Sequence, residues 1–363
     1  MTDAAKALVG APLFIVGAPR SGTTLLAAMV GSHSAFAVGP ESQFFSKLSP
    51  QTLEECVADP LWPDRATQAL LGLTLADQSV ADLFGAEETD IADFLAQRTP
   101  SIKAMLEALT VPFAVRRGKP RWAEKTPNHI LSLNSIRALW PDAAVVRIVR
   151  DPRDAALSTC KLPTFSSSFV ANTLLWRSWQ DQAVRFFEDD ATAITLRYED
   201  LVQDPAKQLR RVCEMVGVDY EPAMVDFASA AADVSSANET WKGQVSGALD
   251  PTRVYRWRDD LSEDEKHFAS AINHEHLQRF GYERSEHVSK QTQRVFHLSS
   301  QFAERHEKAL VDLTKNGTRW LPERDWRKAD IVCEHPPYRR SRDPRFLARL
   351  AAGRWRLAQL KTV

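Results

Sequence analysis

LFIVGAPRSGTTLL, residues 13–26, runs from a strand pattern through a glycine loop into a helix pattern. LFIV is a short apolar run, β-branched at its end and stopped by Gly17 and Pro19, as a fully buried strand would be. TTLLAAMVGS, 23–32, reads as a helix that starts within the loop. Strand, glycine turn and helix N-terminus together bring backbone N–H groups and the helix dipole to bear on an anion. The glycines have the G-x-x-x-x-G spacing of a phosphate-binding loop, but Thr23 stands where nucleotide kinases and ATPases place lysine. That lysine reaches the outer phosphates of a triphosphate whose Mg²⁺ is held by the following Ser/Thr. Its absence implies a ligand with one phosphate at this point and no metal-chelated triphosphate. Arg20, Ser21, Gly22, Thr23 and Thr24 are the candidate ligands, through backbone N–H groups, hydroxyls and the planar guanidinium fork. The spacing alone is weak evidence. The flanking strand and helix, and the hydroxyls and arginine among the glycines, give it weight.

Working outward, FAVG (36–39) reads as a second short strand, and the strand rhythm returns at RWAEK (121–125), AAVVRIV (143–149) and TAITLRY (192–198). Helical stretches separate them: TPNHILSLNSIRALW, a long one over about 168–188, and DPAKQLRRVCEMVG. This alternation predicts an α/β fold, a P-loop-type parallel sheet flanked by helices. Residues 50–120 look like a helical, acidic insertion, 230–260 like a loop, and 260–282 like one helix ending at Gly281. The expected domains are 1–284, which carries the sheet, and 285–363, a basic, mostly helical C-terminal extension.

VVRIVRDPRDAALSTC (145–160) repeats the logic at another strand end. Arg150 emerges at the strand's edge, Asp151 suits a helix N-cap and Pro152 its first turn. Ser158 lies on the helix that follows and could face the same anion; the alternative is that Arg150 and Asp154 form a surface ion pair and Ser158 merely packs. Together the two segments resemble the sulfotransferase family. GAPRSGTT is similar to the loop that holds the 5′-phosphosulfate of 3′-phosphoadenosine 5′-phosphosulfate (PAPS), and R-D-P-R-D-x-x-x-S to the segment that holds its 3′-phosphate. The resemblance extends to EKTPNH (124–129), WPDA, RYEDLVQDP (197–205) and, faintly, RVYRWRDDL (253–261). The branch it resembles most contains tyrosylprotein sulfotransferases and many bacterial relatives.

The resemblance implies transfer of a sulfuryl group from PAPS to a hydroxyl acceptor, in line and with a carboxylate general base, leaving adenosine 3′,5′-bisphosphate and needing no metal. It places Lys125 and Arg20 beside the sulfuryl group. Lys125 independently sits at the end of a strand on the sheet's ligand-binding edge, although an ion pair with Glu124 on the surface would also account for it. Glu41 is the base that the resemblance implies. Its strand is expected next to the first one, and Phe44 and Phe45 are placed to desolvate it. His33 and His129 are the competing bases, though a lone helical histidine is more often structural. Tyr198 is expected to end a central strand beside the cofactor, or else to be core. Lys242, Arg253 and Arg256 lie where a covering loop would fall, without a pattern that assigns them. A P-loop phosphotransferase using ATP is the alternative enzyme, and a non-catalytic nucleotide-binding module the alternative class.

The whole-chain properties narrow the partners. With 363 residues, 44% hydrophobic, 26% charged and a net charge of −1, the composition is that of a globular protein and offers no bulk charge for nucleic acid. Segment 285–363 carries an excess of about eight positive charges, which leaves an acidic partner or a membrane surface open, with a solvated helix the plainer account. Four widely spaced cysteines make neither a disulfide framework nor a zinc site and suit a reducing compartment. With no signal peptide or membrane-length apolar stretch, a cytoplasmic protein is expected, and the sequons at Asn238 and Asn316 are read as accidental. Insertion 50–120 follows Glu41 and is the expected place of acceptor selection, while its acidic run Glu87, Glu88, Asp90 and Asp93 reads as a solvated loop. A small molecule, a glycan, a lipid and a peptide tyrosine all remain admissible acceptors.

Overall fold

The computed structural model describes residues 10–162, 164–228, 230–231, 233–234 and 249–283, and the backbone of two short paired strands, Phe296–His297 and Arg356–Leu357. Lys242, both sequons and, apart from those strands, the basic C-terminal segment lie outside the described residues. The chain divides into two compact units, Met1–Val149 with Ala183–Pro251, and Arg150–Gln182 with Thr252–Val363.

The first unit is built on a parallel sheet of β1 (Leu13–Val16), β2 (Phe36–Val38), β3 (Arg121–Lys125), β4 (Ala144–Val149) and β5 (Ala193–Arg197), in the order β2-β3-β1-β4-β5. β1 and β4 are buried along their whole length, as continuous apolar runs covered on both faces must be. Arg147 in β4 is the polar exception. Its guanidinium donates to Thr195 Oγ1 on β5 and lies 4.1 Å from the centre of the Phe187 ring. One expectation fails. β2 does not adjoin β1, because β3 arrives after the insertion and enters between them, with Ala123 opposite Leu13 on one side and Val38 on the other. Parallel strands joined by a helical crossover need not be neighbours, and the β1-to-β2 connection leaves one position for β3.

Helix α1 (Thr23–Gly31) follows β1. The insertion comprises helices Pro50–Val57, Asp64–Leu71, Val80–Phe84 and Glu88–Ala96 and the longer α2 (Ile102–Arg116). Ser49, Ser79 and Ser101 cap three of these by accepting a backbone N–H with their side chains. The insertion is not wholly helical, since Thr74–Leu75 and Gln78–Ser79 pair in a small ribbon across Ala76 and Asp77, both at positive φ. Nor is the acidic run a loop: Glu87 and Asp90 make a capping box that opens helix Glu88–Ala96, where negative charge meets the positive end of the dipole.

In the second unit, α3 (Pro152–Thr159), α4 (Phe169–Asp189, of which residues to Gln182 belong here) and α5 (Glu263–Ile272) surround a core of Ala156, Phe169, Trp257, Leu261 and Ala269. The helix expected over 260–282 breaks at Asn273, whose side-chain amide donates to the Ala269 carbonyl and competes with helix continuation.

Candidate active site

The anion loop is shaped by contacts that admit no larger residues. A Cβ on Gly17 would meet the Ile148 carbonyl oxygen at 2.6 Å. Gly22 has φ 100°, and a Cβ there would lie 2.5 Å from the Tyr198 ring. Arg20 also adopts a left-handed conformation, φ 62°, so the chain folds back between Ala18 and Gly22. α1 starts at Thr23 from Gly22 without a side-chain cap, and its first-turn N–H groups are the ones a bound anion would satisfy. Ser21 is fully buried and its hydroxyl has no hydrogen-bond partner. A buried donor in an uncapped, dipole-positive loop fits a phosphate oxygen. Thr23 and Thr24 are buried and Arg20 half-buried in the same loop. Tyr198 opens the short helix Tyr198–Gln203 instead of ending β5, and its ring forms a wall of the loop.

β1 and β3 run in register, Ile15 beside Lys125, which sets Lys125 two residues' depth from Gly17. Lys125 is completely buried and donates to Glu41 Oε1 at 3.0 Å. Glu41 is 6% exposed, and its other oxygen accepts from Gln43 Nε2 at 2.7 Å. The alternative account, a surface pair between Lys125 and Glu124, gives way to a buried pair with Glu41. Phe44 and Phe45 stack edge-on with one another, and Phe45 with His129.

Glu124, fully buried, accepts instead from Ser42 Oγ at 2.7 Å, Thr126 Oγ1 at 2.6 Å, Thr126 N–H at 3.1 Å and His129 Nδ1 at 2.8 Å. Burial alone would raise this carboxyl; the His129 ring and the two hydroxyls outweigh it and hold Glu124 below its usual range. Both competing histidines are thus occupied. His129 is committed to Glu124 and to the Phe45 N–H, and His33 donates to the Asp219 carbonyl while accepting the Ala35 N–H. The sequence offered no sign that Gln43 holds Glu41 or that Ser42, Thr126 and His129 gather on Glu124. The spacing E-K-T-x-x-H, three polar groups converging from one strand end, is the signal that could have shown it.

In the second unit, Asp151 caps α3 by accepting the Arg153 N–H, with Pro152 in the first turn. The Arg153 guanidinium closes back on the Asp151 carboxylate and lies 3.5 Å from the Trp257 ring centre. Asp154 accepts the backbone N–H groups of Tyr255 and Trp257 at 2.7 and 2.9 Å. Burial pushes its carboxyl up, with Arg150 at 3.8 Å only partly compensating and the Asp151 carboxylate adding to the rise. Arg150 donates to the Arg253 carbonyl at 2.7 Å. The alternative of a surface pair between Arg150 and Asp154 does not hold, since the two are largely buried, and Ser158 is half-buried in the last turn of α3. Arg256 is exposed and paired with Asp260.

The architecture is similar to that of two solved sulfotransferase domains. One is from the Synechococcus PCC 7002 olefin synthase, with a TM-score of 0.53, 20% identity and coverage of 76% of this chain and 96% of that one. The other is from the curacin biosynthetic pathway, with a TM-score of 0.54, 21% identity and coverage of 76% and 99%. In sequence, the chain is 23% identical over 303 residues to the nodulation protein NoeE of Sinorhizobium fredii (strain NBRC 101917 / NGR234), covering 75% of this chain and 66% of that protein. It is 23% identical over 262 residues to protein-tyrosine sulfotransferase A of Caenorhabditis elegans, covering 69% and 62%. The profile of the Sulfotransferase family matches residues 12–222, from β1 through the anion loop, Glu41, Lys125 and Tyr198. The lysine-free loop, the parallel sheet beneath it and this match over more than half of the chain agree: the chain belongs to the sulfotransferase family.

Proposed function

We propose that the chain transfers a sulfuryl group from PAPS to a hydroxyl acceptor, with Glu41 as general base and Lys125 as the cation that steadies the transferring group. The carrying observation is the buried Lys125–Glu41 pair at 3.0 Å, set by β-sheet register at the depth of a loop whose Ser21 hydroxyl is buried and unsatisfied. Ser21, Gly22, Thr23, Thr24 and Arg20 bind the 5′-phosphate end, and Arg150 and Ser158 the 3′-phosphate, an assignment supported by the motifs they stand in. Tyr198 shapes the loop wall. The kinase alternative is set aside by family membership and by Thr23.

The donor supplies a sulfuryl group on a phosphate leaving group. Glu41 removes the acceptor's hydroxyl proton as that oxygen bonds to sulfur, while the bond from sulfur to the 5′-phosphate oxygen breaks. Lys125 and the loop N–H groups stabilise the charge that collects on the departing phosphate. In the pair as it stands, the amine of Lys125 donates to Glu41 Oε1 within a buried site. As the anionic donor binds, Lys125 turns from Glu41 Oε1 to the donor, and Glu41 Oε1 takes the acceptor's hydroxyl. The proton it takes leaves to solvent after turnover.

Thermal shift is the direct test. Adenosine 3′,5′-bisphosphate should raise the melting temperature, and ATP with Mg²⁺ should not; the reverse would overturn the assignment. Glu41→Gln should lower kcat by about 10²–10⁴-fold with unchanged calorimetric affinity for the bisphosphate. Arg150→Ala should weaken that affinity about tenfold to a hundredfold, the worth of one charge-assisted contact.

A further inference from the structure

The segment that carries Glu41 is held by an unusual route. Gln43 has φ 55°, a left-handed conformation that costs a non-glycine residue about 1–2 kcal/mol, and it opens the short helix Phe44–Lys47 without a side-chain cap of its own. The N–H groups of residues 43, 44 and 45 are the ones that such a helix start leaves without intrahelical partners. Each finds a different side chain. Gln43 N–H donates to Thr126 Oγ1, Phe44 N–H to Ser42 Oγ and Phe45 N–H to His129 Nε2, each at 3.3 Å. All three side chains then donate onward to one carboxylate, Ser42 and Thr126 to Glu124 Oε1 and His129 Nδ1 to Glu124 Oε2.

The chemistry of that receiver is constrained. A hydroxyl or imidazole that has accepted a backbone N–H must send its own proton elsewhere, and the Phe45 N–H at Nε2 fixes Nδ1 as the protonated ring nitrogen. Three converging donors, joined by the Thr126 and Ser42 N–H groups, need an acceptor with two oxygens and no proton of its own. Only an ionised carboxylate provides that; glutamine would turn an NH₂ group against two of the donors. Glu124 also precedes Lys125 directly in β3, so the group that receives the relays is rigidly tied to the cation that Glu41 must meet.

We infer that Glu124 is the positioning residue of the catalytic pair: through Ser42, Thr126 and His129 it fixes residues 43–45, and so presents Glu41 to Lys125. The inference rests on the roles given to Glu41 and Lys125 above, but its test does not depend on them. Residue-resolved amide exchange provides a one-to-one pattern. Ser42→Ala should accelerate exchange at Phe44 alone, Thr126→Val at Gln43 alone, and Glu124→Gln at all three, each by about tenfold for a lost hydrogen bond. Thr126→Ser, which keeps the hydroxyl, should restore protection at Gln43. Acetylation of the Lys125 amine by an N-hydroxysuccinimide ester, followed by mass spectrometry, should be slow in the wild type and at least about tenfold faster in Glu124→Gln. If Glu124→Gln fails to fold, Ser42→Ala and Thr126→Val carry both measurements. Unchanged exchange at 43–45, or equal acceleration along the whole chain, overturns the relay. Faster exchange with Lys125 still protected overturns the link to the pair. In a chain with sulfuryl transfer, Glu124→Gln should lower kcat by about a hundredfold, the cost of a displacement near 1 Å, with bisphosphate affinity intact. Absence of any transfer in the wild type, with the exchange pattern as stated, would sink the functional assignment and leave the relay standing.

Discussion

Glu124 in the first unit and Asp154 in the second are both buried, and each gathers backbone N–H groups from a segment that holds a non-glycine residue at positive φ, Gln43 at 55° and Tyr255 at 61°. Glu124 does so for residues 43–45 through three side chains, and with the Ser42 and Thr126 N–H groups its oxygens are surrounded by donors at 2.6–3.4 Å. Asp154 does so directly, through the Tyr255 and Trp257 N–H groups, with its cation Arg150 at 3.8 Å and another carboxylate, Asp151, nearby. Burial raises both carboxyls, and only at Glu124 do the donors outweigh it. The neighbours of each carboxylate, first the His129 ring and then the hydroxyls at Glu124, and not burial itself, decide whether a buried charge supports the fold or is carried at a cost. Asp154 is held in place by the segment it organises, and its charge is not what makes that segment stable.

Truncation should expose the difference most strongly. Glu124→Ala strands three side-chain donors and two backbone N–H groups in a buried site and should cost about 3–5 kcal/mol in urea unfolding, the range for breaking a buried charged network. Asp154→Ala also strands two backbone N–H groups but removes a charge that burial disfavours, so about 1–2 kcal/mol is expected. Equal losses would mean that the two carboxylates are balanced alike and would remove the distinction.

The pH dependence sharpens it. The folded-state pKa of Glu124 lies below the unfolded value of about 4.3, so its contribution is present in full above that value and fades as pH falls through the folded one. The folded-state pKa of Asp154 lies above the unfolded value of about 3.9; its contribution is present below that value and is lost as pH rises through the folded one. Relative to wild type, Glu124→Gln should therefore cost more at pH 7 than at pH 4, and Asp154→Asn less. Urea midpoints across that interval read both slopes, and slopes of the same sign would contradict the opposed balance.

Much of this was legible beforehand, for identifiable reasons. The strands announced themselves as apolar runs between turn residues, and RWAEK matches β3 residue for residue. The anion loop was visible because its glycines are demanded by close approach and positive φ, which leave a mark in sequence. Strand order was not, since pairing between β2 and β3 is a long-range choice that neither strand's pattern encodes. Lys125 was recognisable but its partner was not: Glu41 and Glu124 are both close carboxylates, and only the fold turns one toward the amine and the other toward Ser42, Thr126 and His129. The alternative of a surface role for Asp154 stayed open because hydrogen bonds to the backbone of distant residues have no local signature, whereas the Asp151 N-cap was legible from Pro152 beside it. Asn273 broke a helix without proline or glycine to warn of it.

The smallest effect tests the strain that each carboxylate offsets. Gln43→Gly removes the cost of a left-handed non-glycine residue, about 1–2 kcal/mol. It also gives up the Gln43–Glu41 hydrogen bond, about 0.5–1.5 kcal/mol, and adds freedom to the unfolded chain. These terms oppose one another at similar size, so a net change within about 1 kcal/mol is expected. In the Glu124→Gln background the relays no longer hold residue 43 in its strained conformation against its own preference. Glycine, whose gain is the relief of that strain, should then gain less than it does in the wild type, by about 0.5–1 kcal/mol of coupling, measured as a double-mutant cycle of urea midpoints. Strict additivity would mean that Glu124 does not bear on the Gln43 backbone, and the likeness between the two carboxylates would end there.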